Sequence, residues 1–264
     1  MTTEAQKIRR RGRLLPVPIS WEKIPWWVVI LSIVGVTVFW SVLTSETYIR
    51  VIRFVTVGVG LTLRLTVISY MIALVLGLIF GLMRVSDNPI LYAASTLYVE
   101  VLRGIPLLVI ILYMGYVITP WVRDVTGGQI DLRGFPAAVL AMAICYGAFE
   151  AEVYRGGIES IERGQMEAAR SLGMSYMEAM RHVILPQAIR RILPPLGNDF
   201  ISMLKDSSLV SVIALPDLLQ MGRLHVSRTY RAFPGYNTVA LLYLVMTLGL
   251  SLVVRVIERR AAIE

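Results

Sequence analysis

Gly164-Gln165-Met166-Glu167-Ala168-Ala169-Arg170-Ser171-Leu172-Gly173, followed by Leu185-Pro186, is the stretch that decides how this chain folds. It is polar and built of good helix formers, yet long apolar runs flank it on both sides. A polar helical segment between membrane-length apolar runs has to lie at the membrane surface. There it is open to a soluble partner.

The rest of the chain fits that placement. Of its 264 residues 56% are hydrophobic and 17% charged, and its mean hydropathy is +0.67. Several apolar stretches approach or exceed the roughly 20 residues that cross a bilayer as a helix. They are continuously apolar rather than alternating, which favours helices over a barrel. A basic tail, 1–25, carries Lys7, Arg9, Arg10, Arg11, Arg13 and Lys23. A first helix is expected over 26–44, retained rather than cleaved because no small-residue cleavage site follows it. Trp26 and Trp27 suit a membrane interface. The transmembrane domain proper is expected over 54–260. Its helices are expected at about 54–83, 96–122 (interrupted at Gly104-Ile105-Pro106), 135–154, 193–215 and 238–257. Residues 216–236 read as a polar loop. The result is an all-α integral membrane bundle of about six crossings.

Net charge is +8, and the arginines lie between the apolar runs. Lys and Arg number sixteen on one side of the expected topology and seven on the other. By the positive-inside rule the richer side is cytoplasmic, which puts both termini and the 159–192 loop there. The charge therefore speaks for membrane topology and against nucleic acid. The one cysteine, Cys145, lies in an apolar run and reads as a small buried hydrophobe.

The polar loop reads as two short helices. Gly173 fits the residue after a helix end. Ser175 and Glu178 have the spacing of a capping box. The second helix is expected to run to about Leu185, with Pro186 opening the next turn. Ala169, Leu172, Tyr176, Met180 and Val183 recur at helical spacing and predict an apolar stripe. By pattern alone the loop is either a helix lying on the membrane or a docking element.

The loop resembles the coupling loop of type I ABC importers. Glu167, Ala168, Ala169, Gly173, Leu185 and Pro186 match it, with Val183 where isoleucine is usual. Tyr98-Val99-Glu100-Val101-Leu102-Arg103-Gly104-Ile105-Pro106 and Leu204-Lys205-Asp206-Ser207-Ser208-Leu209 are similar to signatures of the polar amino-acid uptake permeases, of histidine, glutamine and arginine type. Ile105 departs from the usual threonine. The resemblance covers roughly residues 56–260. It implies a five-helix importer core, here with one extra N-terminal helix, and alternating access across a prokaryotic inner membrane. It also implies a cytoplasmic ABC ATPase dimer docked on residues 165–186, with ATP and Mg on that partner and no cofactor on this chain. An external solute-binding protein, a second permease copy or close homologue, surrounding lipid and a polar amino-acid substrate complete the set.

No Gly-x-x-x-x-Gly-Lys-Ser/Thr loop occurs, so ATP is not bound by that device. No nucleophile–base constellation is visible, which speaks against an integral-membrane enzyme; the resemblance implies a transporter subunit whose ATPase activity resides in a partner chain. His182 and His225 stand apart, so no metal site is expected. The alternative function, an ion-coupled secondary transporter of small polar solutes, is usually larger and built of inverted repeats, and none is visible here.

Charges within spanning helices are costly and mark functional candidates. Glu100 and Arg103, three apart, are expected to form a structural ion pair, as are Glu152 and Arg155. Lys205 and Asp206 lie where the helix pattern weakens and are candidates for substrate contact or for holding a helix break. Glu150 and Arg64 either hold the two ends of a zwitterionic amino acid or pair with each other.

Overall fold

The computed structural model describes residues 26–263, so the basic tail over 1–25 lies outside the described residues. The chain divides into two compact units, Met1–Ser45 and Glu46–Glu264. In the first, α1 (Trp26–Thr44) is an uncharged nineteen-residue helix, about 28 Å long at 1.5 Å per residue. That is a bilayer's hydrocarbon thickness.

In the second unit the chain runs through α2 (Glu46–Val55), α3 (Val57–Val85), α4 (Pro89–Gly104), α5 (Leu107–Tyr113), α6 (Thr119–Val125) and α7 (Phe135–Glu159). It continues through α8 (Arg163–Ser171), α9 (Tyr176–Ala179), α10 (Leu185–Asp206), α11 (Leu218–Thr229) and α12 (Ala232–Ile263). Among the described residues of this unit, four stretches are long and apolar enough to cross a membrane: Glu46–Val85, Leu107–Val125, Phe135–Glu159 and Ala232–Glu258. The pair Tyr176–Ile213 and Leu218–Thr229, bent by 48°, makes a fifth if taken as one span.

The centre is the parallel pair α3 and α7. Ser69, Ala73, Gly77 and Gly81 recur every fourth residue on α3, and all are buried. They face Ala148, Glu150 and Ala151 of α7, also buried. Small side chains let two backbones approach closely, which is how helices associate where lipid removes the hydrophobic drive. A Cβ on Gly77 would stand 2.3 Å from the Glu150 Cβ, and one on Gly81 would stand 2.9 Å from the Ala151 carbonyl oxygen. Around this seam Leu65, Ile111, Met142, Met203 and Val210 form the main core.

Several elements depart from the sequence reading. The third helix starts at Pro89 rather than 96, and the interruption expected at Gly104-Ile105-Pro106 divides it into two rods. α4 begins at Pro89, where the Asn88 side chain accepts from the amides of Ile90 and Leu91, and it ends at Gly104. Pro106 has no amide to continue it, and Ile105 is extended. The chain then restarts as α5, continues through a widened turn at Met114–Ile118, and completes its crossing in α6.

Residues 216–236 are not a loop. Asp217 caps α11, accepting from Leu219 and Gln220 at 3.1 and 2.9 Å. Thr62 of α3 accepts from the Leu218 amide at 3.0 Å. Polar residues are tolerated there because one face of α11 buries Leu218 and Gly222 against α2 and α12. The last helix accordingly starts at Ala232 rather than 238.

The second loop helix does not stop at Leu185 either. The chain stays helical from Tyr176 to Asp206 through a widened turn at Met180–Ile184. Gln187 donates to the Val183 carbonyl at 2.8 Å, next to Pro186, which has no amide to give. In the Thr126–Arg133 loop, Gly127 and Gly128 take positive φ, as the Gly-Gly turn requires. There the Arg133 guanidinium holds the exposed Asp131 carboxyl down at about 2.

Candidate functional site

The break between α4 and α5 opens a cavity of about 410 Å³, within the range of small-molecule sites. Arg103, Ile105 and Pro106 form one wall, Cys145, Tyr146 and Phe149 of α7 a second, and Asp199, Ser202 and Asp206 of α10 the third. The last three are spaced three and four apart, so they share one face of α10. Tyr146 donates its hydroxyl to Asp206 at 2.7 Å. Phe149 is fourteen residues into a helix of twenty-five, so the cavity lies near the middle of that crossing. Two carboxylates and one guanidinium there are an expensive set unless a polar guest is to be met.

Beside the cavity, an ion cluster ties α3, α4 and α7 together. Glu152 lies 2.5 Å from Arg84, 2.7 Å from Arg155 and 4.0 Å from Arg103. Arg84 also reaches Glu100 at 3.1 Å, and Arg155 reaches Glu159. The expected Glu100–Arg103 pair is absent among the described residues: Glu100 pairs with Arg84. Spacing made the intrahelical pair possible, but the turn at Ser86-Asp87-Asn88 returns α4 alongside α3 and offers Glu100 another partner. The Arg103 guanidinium instead lies 5.5 Å over the Phe149 ring.

Glu150 and Arg64 do not share a site. Glu150 is fully buried against Gly77, and neither carboxylate oxygen has a hydrogen-bond partner among the described residues. Arg64 lies about 20 Å along α3 from Gly77, at 1.5 Å per residue, on an exposed face. Neither a shared zwitterion nor a mutual ion pair is possible at that separation. Lys205 and Asp206 also part company. Asp206 faces the cavity, whereas the adjacent Lys205 is exposed and is not among its lining.

The surface loop is a second candidate site. Ser175 caps α9: its hydroxyl accepts from the Glu178 amide, and the Glu178 carboxylate accepts from the Ser175 amide at 2.8 Å. Gly173 turns the chain at φ +88°. Glu167 and Ala168 are exposed, Ala169 is buried, and Leu185 and Pro186 are exposed. The expected apolar stripe is divided. Ala169 turns inward, while Leu172 is 82% exposed and Tyr176 and Met177 lie beside it in the open. The turn at Gly173 reorients α9, so one helical periodicity does not run through both helices. These three large apolar side chains are left exposed among the described residues, on an otherwise polar loop.

A family model described as "Binding-protein-dependent transport system inner membrane component" matches residues 73–263. The chain belongs to this family. The permease is 42% identical over 201 residues to the probable glutamine ABC transporter permease protein GlnM of Bacillus subtilis, covering 75% of this chain and 89% of that one. It is 34% identical over 253 residues to the arginine transport system permease protein ArgU of Corynebacterium glutamicum, covering 92% and 78%. A solved structure, "Crystal structure of an amino acid ABC transporter with histidines", superposes with a TM-score of 0.73 at 41% identity over 81% of this permease and 97% of that chain. The permease is thus a multi-pass, all-helical membrane subunit of a binding-protein-dependent transporter, and not an enzyme.

Sequence reasoning missed Asp199, Ser202, Tyr146, Phe149 and Arg84. The seven-residue spacing of Asp199 and Asp206 could have found the first, since it puts two carboxylates two turns apart on one face. Nothing local points to Arg84, whose partners come from two other helices.

Proposed function

We propose that this permease forms the membrane path of an ATP-driven importer of polar amino acids, and that its substrate passes through the cavity at the α4–α5 break. The observation that carries the reading is that cavity: Asp199, Asp206 and Arg103 converge mid-membrane on space large enough for an amino acid. The glutamine and arginine permeases among its relatives support the substrate class.

The basic side of the topology faces the cytoplasm, and both termini lie there. A cytoplasmic ABC ATPase dimer, which holds ATP and Mg, docks on the loop through Leu172, Tyr176 and Met177, with Glu167, Ala168, Ala169, Gly173, Leu185 and Pro186 shaping the contact. Because the chain is one continuous helix from Tyr176 to Asp206, a push at the loop is carried as a lever to the cavity wall. A second permease, identical or homologous, closes the path, and an external binding protein delivers substrate to a prokaryotic inner membrane.

The test is ATPase activity in proteoliposomes holding the permease, its ATPase and its binding protein. Amino acid with binding protein should stimulate hydrolysis. Leu172→Asp with Met177→Asp should abolish co-purification of the ATPase, and Asp206→Asn should keep co-purification while losing stimulation. An ATPase that binds the double variant normally would overturn the docking assignment. Stimulation unchanged in both Asp206→Asn and Asp199→Asn would overturn the cavity.

A further inference from the structure

Five arginines crowd the end of the bundle that lies away from the polar loop. The chain leaves that loop at Leu185, and α10 runs 22 residues, about 33 Å, before α11 begins. Arg50 and Arg53 stand on α2, Arg223 and Arg228 on α11, and Arg231 directly precedes α12. All five are exposed, and none has an ion-pair partner within 4.0 Å among the described residues. They are five of the seven Lys and Arg on the side that the positive-inside bias leaves poor, so that bias gives no reason for them.

Packing gathers these arginines around one cleft. The 29 residues of α3 span about 43 Å, a bilayer with its headgroups, so α2 before it lies at headgroup level. A Cβ on Gly235 of α12 would stand 2.5 Å from a Val226 methyl of α11, so α11 crosses the head of α12 closely. Against α2, the His225 ring lies 5.7 Å from the Phe54 ring, and the Arg228 guanidinium lies 5.5 Å over Phe54. The cleft between these elements, about 370 Å³, is lined by Thr47, Arg50, His225, Thr229 and Arg231, with no carboxylate among these described residues. Arg231 donates one of its five N–H groups to the Thr47 hydroxyl at 3.2 Å, and Arg50 donates one to the Glu46 carbonyl at 3.4 Å. The other N–H groups of both are open to a guest.

We propose that this cleft holds the phosphodiester of an anionic membrane lipid, with Arg50 and Arg231 on its oxygens and its acyl chains lying along α12. The planar fork of a guanidinium matches two phosphate oxygens, and the Thr47 and Thr229 hydroxyls supply neutral donors beside it. Below the cleft α12 offers the chains a bare apolar face. Phe233, Leu244, Leu248 and Leu252 are each more than half exposed, and the three leucines are four residues apart on one side of the helix. An acidic protein surface would match the guanidiniums but leave that face unused, whereas a lipid meets both. Held by α2, α11 and the residue before α12 at once, the phosphate ties these three elements together, whatever solute the permease carries.

The experiment is native mass spectrometry of the delipidated permease–ATPase complex in detergent. The probes are dioctanoyl phosphatidylglycerol, dioctanoyl phosphatidylcholine (the same chains, with the phosphate charge balanced by choline) and inorganic phosphate. The wild type should hold phosphatidylglycerol about tenfold more tightly than phosphatidylcholine, since hydrogen bonds to a net charge contribute that much. Arg50→Gln with Arg231→Gln should remove one tightly held phosphatidylglycerol per permease. Arg50→Lys with Arg231→Lys, which keeps the charge and loses the fork, should retain that lipid with a smaller preference over phosphatidylcholine. Arg123→Gln, on the same side and outside the cleft, should change neither number nor preference. Equal binding of the two lipids by the wild type, or unchanged phosphatidylglycerol binding in the double glutamine variant, overturns the proposal. Displacement of the lipid by millimolar inorganic phosphate also overturns it and marks a free-anion site. A double glutamine variant that keeps its lipid but loses affinity for the external binding protein, or separates into single permeases, overturns it in favour of a protein contact.

Discussion

Gly77→Ala adds one methyl at the tightest point of the α3–α7 seam. The new Cβ would stand 2.3 Å from the Glu150 Cβ, 3.0 Å from the Glu150 carbonyl carbon and 3.1 Å from the Ala151 nitrogen. Two of these are backbone atoms and the third is attached to backbone, so no rotamer change relieves the clash. The helices must separate by about 1 Å to restore ordinary contact, and overpacking of that size costs about 1–3 kcal/mol. At 2–4 °C per kcal/mol for a domain of this size, the melting temperature should fall by roughly 2–12 °C. Gly60 is the control on the same helix. Among the described residues nothing lies within 4 Å of a Cβ there, and Ala is a better helix former than Gly by about 1 kcal/mol. Gly60→Ala should therefore leave the melting temperature unchanged or raise it. The assay is the loss of the monodisperse peak of the purified complex after stepwise heating. Equal melting of the two variants would refute the claim that the seam is set by backbone contact at Gly77.

Glu152→Gln should cost about 3 kcal/mol, because it strips the mostly buried Arg84 of its closest partner, while Glu159→Gln, half exposed, should cost under about 1 kcal/mol. Melting of the purified complex distinguishes them, and equal shifts would count against the cluster as a structural clamp. Ser175→Ala removes the cap of α9 and should cost about 1 kcal/mol locally. Amide exchange over residues 176–180 should then accelerate about fivefold without a comparable change in global melting. Unchanged exchange there would mean that other contacts hold the loop helix.

What could be read from the chain was set by composition and short-range spacing. The apolar runs define helices because a bilayer leaves no other partner for their backbone. The cap at Ser175 and the turn at Gly173 are local, and both were legible. The helix α11 was within reach: Asp217 three residues before Gln220 is an N-terminal signal, obscured by the polar residues that follow. The break at Gly104-Ile105-Pro106 was visible as an interruption. Its meaning was not, because a break becomes a cavity only when other helices line it.

The pairings of charge lay beyond sequence. Glu100 chose Arg84 over Arg103, and Arg64 lies about 20 Å from Glu150, for one reason. Within a helix, spacing fixes which side chains are neighbours. Between helices, the packing of α3 on α7 and the return of α4 decide it, and those follow from glycines and alanines that carry no charge. The sequence by itself determined that this is a helical membrane subunit with a polar helical loop between its spans. The tertiary structure decided which carboxylates face the cavity, since only it brings α4, α7 and α10 to one place.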